Sequence, residues 1–442
     1  MQLDVLQSAA GVDDDTWEGG DSAYRCPRLP PPALGSGLQF AVMKHRALLL
    51  ILLLASIPTA GVIAVRGAQE CTTAIFASGS TADGRPILWK NRDTDHLSNK
   101  VVFVEDKPYN YLGLVNSNDA DGRMVWAGVN AAGFAVANSV AYNLPQKAGE
   151  QVDLEGIVMS DALRTCETLA DFERYLSRNL GPDLGSQANF LAMDAKGGAA
   201  IFETHNHGFK RIEAGATPTH YLANTNFSRS GPADQGAGYL RFERETTLLE
   251  AAKPGSFTPA WVLQTAARDL GHALLSHPAR EDWKKLPAGQ PAWLHTNYTI
   301  NRASTASVVV IHGVKPGEDP RRTTLWVALG EPVCSIAVPL WVAAGTPPAA
   351  AWEGDQSALA LESLRLKDLL RPLKARERKE YADVTRLDNA AGTGWLPTLL
   401  AAESETMNQA SALLAKDPSA ADLAAFQKTA AERALSVLKT IK

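Results

Sequence analysis

Cys71-Thr72-Thr73-Ala74-Ile75-Phe76-Ala77 reads as a β-strand that opens on a cysteine. Threonine, isoleucine and phenylalanine favour the extended chain. The residues before it read as a leader. Met43-Lys44-His45-Arg46 precedes an apolar run from Ala47 to Ala55, followed by Pro58 and small residues up to Gly67-Ala68. That order of basic, apolar and small regions is the order of a secretory signal, here 43–68. The apolar run is shorter than the roughly 20 residues of a membrane span. The expectation is therefore export to a periplasm or the medium, with no membrane attachment once the signal is removed. Residues 1–42 carry Asp13-Asp14-Asp15 and Pro30-Pro31-Pro32 with no periodicity. They read as a disordered or mis-assigned leader, with Met43 as the expected start.

A cysteine exposed at a new N-terminus carries two halves of a catalytic pair. The thiol is a nucleophile, and the α-amine, with a pKa of about 7.7–8.0, is a base near neutral pH. A neighbouring cation favours the reactive thiolate. Cleavage between Glu70 and Cys71 would create this arrangement.

The bulk numbers set limits. The chain has 442 residues, 45% hydrophobic and 21% charged, with a formal net charge of -5. That composition is globular, and the acidic balance argues against a nucleic-acid surface. Of the other cysteines, Cys26 lies in the leader, Cys166 in a helical pattern and Cys334 in a strand pattern, and the sequence alone does not pair them.

Short β runs are expected at Thr72–Ala77, Ile87–Lys90, Val101–Glu105, Tyr111–Val115, Met124–Val129 and Phe134–Asn138, separated by Gly, Asp and Pro turns. Helices follow at Leu154–Cys166 and from Thr168, where Asp171 completes a capping box. Strands return at Asn189–Asp194 and Ala199–Glu203, joined by a Lys196-Gly197-Gly198 turn, and at His220–Ala223. Helices are expected at Tyr239–Ala252 and Pro259–Leu270, and further strands at Ala306–His312, Thr323–Leu329 and Val333–Val338. Beyond about 355 the spacing is helical throughout. Strand blocks interrupted by helix pairs indicate an α+β layered domain rather than a doubly wound sheet.

Several residues gather around Cys71 in this reading. Asp93 ends a strand that can return beside Cys71 and hold its amine. Lys90 or Arg92 would lower the thiol pKa. Asn138 ends a hairpin strand and Asn226 follows the His220 strand, with Asn224 as its competitor. Amide N–H groups aimed at one point stabilise an oxyanion. Arg241 opens a helix, and Arg302 is a second candidate cation. Trp126, Tyr142 and Trp293 are candidate pocket aromatics. No metal or cofactor is called for; His205-Asn206-His207 lacks a third ligand.

The ordered set resembles the N-terminal nucleophile hydrolases, in the branch of isopenicillin N acyltransferase, penicillin V acylase and choloylglycine hydrolase. The matching stretches are Cys71-Thr72-Thr73-Ala74, Gly84-Arg85-Pro86, Lys90-Asn91-Arg92-Asp93, Gly128-Val129-Asn130 with Gly133 to Asn138, Thr225-Asn226, and Tyr239-Leu240-Arg241-Phe242. They fall within about 71–345. The resemblance implies a four-layer αββα sandwich as catalytic domain 69–350; it does not account for 351–442, which read as a helical extension packed on that domain. It also implies Cys71 as nucleophile released by autoprocessing, Asp93 on its amine, Asn138 and Asn226 as oxyanion donors, and Arg241 beside the nucleophile. The substrate would be a small N-acyl amide cleaved through a thioester, by hydrolysis or acyl transfer. Lys90 departs from the pattern, where bile salt enzymes have Arg and the acyltransferase has Gln, and Arg92 replaces an apolar residue. The other readings are an inactive binding protein on the same fold and an exported lipoprotein with a structural Cys71. Homo-oligomerisation is compatible with the sequence and not dictated by it.

Overall fold

The computed structural model describes residues 70–119, 121–373 and 379–442. The 1–42 leader, the 43–68 signal and Cys26 lie outside the described residues. A six-stranded antiparallel sheet runs in the order β10-β1-β2-β12-β13-β14. Its strands are β1 (Glu70–Phe76), β2 (Ile87–Asp93), β10 (Tyr221–Asn224), β12 (Thr305–His312), β13 (Thr324–Leu329) and β14 (Val338–Leu340). The second sheet is a seven-stranded antiparallel meander, each strand paired with the next. It comprises β3 (Asn99–Val104), β4 (Tyr111–Asn116), β5 (Ala127–Asn130), β6 (Ala135–Val140), β7 (Gln187–Met193), β8 (Ala199–His205) and β9 (Gly208–Glu213). Gly133, at φ +79°, makes the tight β5–β6 turn that a side chain would strain.

Three apolar clusters define the layers. Ile75, Leu88, Val309 and Val327 of the first sheet pack against Leu112, Ala137, Leu191 and Ile201 of the second. The outer face of the meander (Phe134, Phe190, Phe202) is covered by Val158, Leu163, Phe172 and Leu176. Those belong to α1 (Glu155–Thr165) and α2 (Leu169–Asn179), the latter closed by the Thr168–Asp171 capping box. On the outer face of the first sheet, Phe76, Trp89 and Val310 meet Leu249 of α3 (Tyr239–Ala251) and Val262, Leu263 and Ala266. The order is helices, sheet, sheet, helices. Full burial of a side chain the size of Phe76 contributes about 1.5–3 kcal/mol, so the layers hold mainly through these faces.

Strand alternation then sorts the polar residues. Cys71, Thr73 and Ile75 stand opposite Arg92, Lys90 and Leu88, while Glu70, Ala74 and Phe76 stand opposite Asp93, Trp89 and Ile87. Ile75 and Leu88 face the other sheet; Phe76 and Trp89 face the helices. Successive side chains point to opposite faces. Cys71, Lys90 and Arg92 thus look between the sheets, and Glu70, Thr72 and Asp93 look outward.

Some expected elements differ. The strand expected at Val333–Val338 begins only at Val338, because Pro332 starts a 3-10 turn, Pro332–Cys334, that holds Cys334. The helix expected at Pro259–Leu270 has one α turn, Pro259–Trp261, and widens into a π turn at Val262–Ala266. Side chains take carbonyls there: Arg268 Nη1 donates to Leu263 O at 2.6 Å and Asn91 Nδ2 to Ala267 O at 2.9 Å. β9 and the small sheet of β11 (Trp293–His295) and β15 (Tyr381–Asp383) were not expected.

The chain after 350 enters the same core. Leu366 and Leu370 of α4 (Ala358–Leu370), Leu399 of α5 (Leu396–Leu414) and Ala431 of α6 (Ala420–Thr440) belong to the inter-sheet cluster. Buried ion pairs fasten it: Arg268 to both oxygens of Glu403 at 2.9 Å, and Arg371 Nη2 to Glu331 at 2.6 Å. Cys166 and Cys334 are free buried thiols. Burial pushes Cys166 up to about 12 and Cys334 well above its ordinary value.

Candidate active site

The site forms where β1 begins. β10 pairs with β1 from Tyr221 to Asn224 and then ends. The Asn226 side chain continues the ladder: Cys71 N–H donates to Asn226 Oδ1 at 2.9 Å. Arg241 Nη2 also donates to that oxygen at 2.9 Å, and Asn226 Nδ2 donates to Val140 O at 2.9 Å. Two donors converging on Oδ1 fix the orientation of the amide. Asn226 therefore offers Cys71 its oxygen, whereas an oxyanion role would need its Nδ2.

Between the sheets, Cys71 is buried with two cations on its face. Lys90 Nζ donates to Asn138 Oδ1 at 2.7 Å and to Trp126 O at 2.9 Å, joining β2 to the facing sheet. Burial lowers the Lys90 ammonium from 10.5 to about 8, with the interaction with Cys71 partly opposing it. A lysine poised there divides between ammonium and amine near neutral pH. With the Asn138 oxygen held by Lys90, Asn138 Nδ2 accepts no role in a hydrogen bond among the described residues and is the group that can donate. Arg92 lies with its guanidinium carbon 4.5 Å from the Trp126 ring centroid and donates to Asn99 Oδ1 at 3.0 Å.

The outward face carries the charge network. Glu70 and Asp93 are directly opposed, a pairing of like charges that is unfavourable by itself. Arg302 bridges them, Nε to Asp93 Oδ2 at 2.8 Å and Nη2 to Glu70 Oε2 at 2.8 Å. Thr305 Oγ1 donates to Asp93 Oδ1 at 2.7 Å. Arg241, fully buried, gives Nη2 to Glu70 Oε2 at 3.0 Å and Nη1 to Cys71 O at 2.6 Å and Thr72 Oγ1 at 2.9 Å. Burial raises the Glu70 carboxyl, but Arg302 and Arg241 outweigh it and hold the carboxyl below its ordinary value.

Asp93 was expected on the Cys71 amine. No Asp93–Cys71 hydrogen bond occurs among the described residues. The peptide nitrogen has one proton, and Asn226 takes it. Asn224 stands apart, bonded to Ser139, Thr225 and Phe227 and accepting from Arg229 Nη1. Arg244, on the helix of Arg241, is tied to Asp269 instead. Of the aromatics, Trp126 is at the site, the Tyr142 hydroxyl feels Glu70 and Cys71 and is pushed up to about 12 mainly by burial, and Trp293 is on the small sheet.

Sequence reasoning missed Thr72, Asn99, Thr305 and Glu245. Strand pairing could have found Thr305, which sits opposite Asp93. Glu245, one turn after Arg241, is buried, and neither oxygen has a hydrogen-bond partner among the described residues. Burial raises it well above the ordinary carboxylate range. Among the described residues no group of three or more His, Cys, Asp or Glu could hold a metal.

No family model and no curated protein matches the sequence. Solved structures that align with it include a variant of conjugated bile acid hydrolase from Clostridium perfringens, at 11% identity and a TM-score of 0.35, covering 58% of this chain and 89% of that one. An N-acylethanolamine-hydrolyzing acid amidase ortholog from Caenorhabditis elegans aligns at 14% identity and a TM-score of 0.36, covering 55% of this chain and 92% of that one. Penicillin V acylase from Agrobacterium tumefaciens aligns at 16% identity and a TM-score of 0.36, covering 61% and 86%. At such values the likeness carries no residue role across. What the site can do follows from its own groups: a cysteine on a strand end, two cations beside its thiol, and a peptide bond before it held on both sides.

Proposed function

We propose that this chain is the uncleaved form of an N-terminal cysteine amidohydrolase or acyltransferase. The observation that carries the reading is the hold on the Glu70–Cys71 peptide. Asn226 fixes its nitrogen, Arg241 and Arg302 fix the Glu70 side chain, and the thiol lies on the face of Lys90 and Arg92. In self-processing the α-nitrogen is an amide and cannot act as base. Neutral Lys90 takes the thiol proton, and the thiolate attacks the Glu70 carbonyl. The C–N bond breaks as the Lys90 ammonium gives the proton to the Cys71 nitrogen, the amine is released, and water hydrolyses the resulting thioester to free the Glu70 carboxylic acid and the thiol. In the mature enzyme that amine is the base. It takes the thiol proton, the thiolate attacks a linear amide, and the proton goes to the leaving amine. Asn138 Nδ2 serves the oxyanion; Asn226, and Asp93 once the amine has protons to share, hold the α-amine. Export through the 43–68 signal is part of the same proposal.

Intact mass of the purified protein tests it. The expected product begins at Cys71 with a free amine, and Cys71→Ala leaves the chain uncut before residue 71. Mature protein should release the amine from simple N-acyl 4-nitroanilides. An unchanged upstream start in both proteins, or turnover retained in Cys71→Ala, would sink the reading.

A further inference from the structure

In the uncleaved chain the Glu70 carboxylate occupies a built anion site. One oxygen, Oε2, meets Arg302 Nη2 at 2.8 Å and Arg241 Nη2 at 3.0 Å, and both arginines are more than nine-tenths buried. Cleavage removes Glu70 and leaves the arginines. Asp93 stays with Arg302. Glu70 is the one carboxylate in ion-pair contact with Arg241 among the described residues, so Arg241 loses that contact and keeps the longer-range pull of Asp93. Glu245 is near, but neither of its oxygens is hydrogen-bonded among the described residues, and burial raises its carboxyl well above the ordinary value. A vacated, buried pocket with two guanidinium groups and one remaining carboxylate calls for another anion.

The processing intermediate shows where that anion belongs. When Cys71 Sγ takes the Glu70 acyl group, the thioester is of the same kind as the acyl-enzyme of turnover. In it three carbons, Cα, Cβ and Cγ, separate the thioester carbonyl from the carboxylate. We propose that the mature enzyme selects N-acyl amides whose acyl group carries a carboxylate at glutaryl spacing, seated between Arg241 and Arg302. Turnover then balances simply: the thiolate displaces the amine, which leaves with the proton from the Cys71 ammonium, and water releases the dicarboxylic acid and the thiol. This rests on the amidohydrolase reading and names its substrate class.

Two measurements on the mature protein test it. In calorimetry, glutarate should bind at least tenfold more tightly than glutaramide, and Arg302→Gln should abolish the difference. In turnover, kcat/KM for N-glutaryl 4-nitroanilide should exceed that of its neutral carboxamide analogue by tenfold or more, with succinyl and adipyl analogues below it. Equal binding of glutarate and glutaramide by the wild-type protein overturns the pocket, whatever Arg302→Gln does to folding. Selective glutarate binding without turnover of any anilide upholds the anion site and instead defeats the amidohydrolase reading.

Discussion

Lys90 is the group whose titration should be visible in stability. Burial brings its ammonium from 10.5 down to about 8. At about 1.4 kcal/mol per pH unit, keeping it charged at pH 7 costs on the order of 3 kcal/mol. In the unfolded chain a lysine stays protonated to about pH 10.4. Between about 8 and that value the unfolded state binds more protons than the native state. Native stability should therefore rise with pH in this window, the reverse of a lysine gaining an ion-pair partner. The test compares Cys71→Ala with Cys71→Ala/Lys90→Met. The background blocks processing and removes the Cys71 side chain, whose interaction otherwise opposes the lowering of the Lys90 pKa. Lys90→Met also strands Asn138 Oδ1 and Trp126 O. That loss is constant with pH and cancels when the stability gap is followed as a function of pH. Urea unfolding at pH 7 and pH 10 should show the parent gaining roughly 2–3 kcal/mol on the methionine variant. A gap that does not change with pH would refute a depressed Lys90 and, with it, Lys90 as the proton acceptor in self-processing.

Other outcomes follow from the same geometry. Asn226→Ala should fold but process at least about a hundred-fold more slowly, the scale of losing one oriented polar group at a reacting centre; mass spectrometry of a time course reads this, and unchanged processing would remove Asn226 from the mechanism. Glu403→Gln leaves Arg268 buried without a full counterion and should cost about 3–5 kcal/mol in urea unfolding; a loss under about 1 kcal/mol would mean the pair is not fastening α5. At pH 8 a thiol reagent should label Cys71 in the mature form and spare Cys166 and Cys334, whose thiols are buried with raised pKa values; labelling at all three would contradict that packing.

The strands that carry the site were legible because their signals are local. Alternation and turn residues place β1, β2, β5, β6 and β10 within a few residues of their observed bounds. The candidates Cys71, Lys90, Asn138, Asn226, Arg241 and Arg302 came into view through strand ends and helix starts. What alternation leaves open is which face meets which partner. Cys71 and Asp93 are one residue out of register, so their side chains emerge on opposite sides of the sheet. Neighbourhood along a hairpin places Asp93 near the Cys71 nitrogen, and parity keeps its carboxylate off the face of the thiol. The π turn at Val262–Ala266 was illegible for another reason. It depends on Asn91 reaching the Ala267 carbonyl from β2, and on Arg268, held by Glu403 of α5, turning back to Leu263, and no local propensity records that. β11 and β15 are short strands stabilised only by meeting each other.

The division of the two faces also bears on how one cysteine can serve two reactions. On the inter-sheet face the surroundings of the thiol, with Lys90, Arg92 and Asn138, involve no atom of Glu70 and survive its departure. On the outward face Glu70 is the hub, bound by both arginines. In the proposed maturation, cleavage would therefore leave the surroundings of the thiol intact and empty the anion site beside it. Even the α-nitrogen keeps its acceptor, since Asn226 Oδ1 can receive an amine proton as it receives the amide proton. An arrangement that instead held the scissile bond through groups on the thiol face would have to rebuild its active site after maturation. In the proposed maturation, the first acyl group to leave would be a template for those that follow.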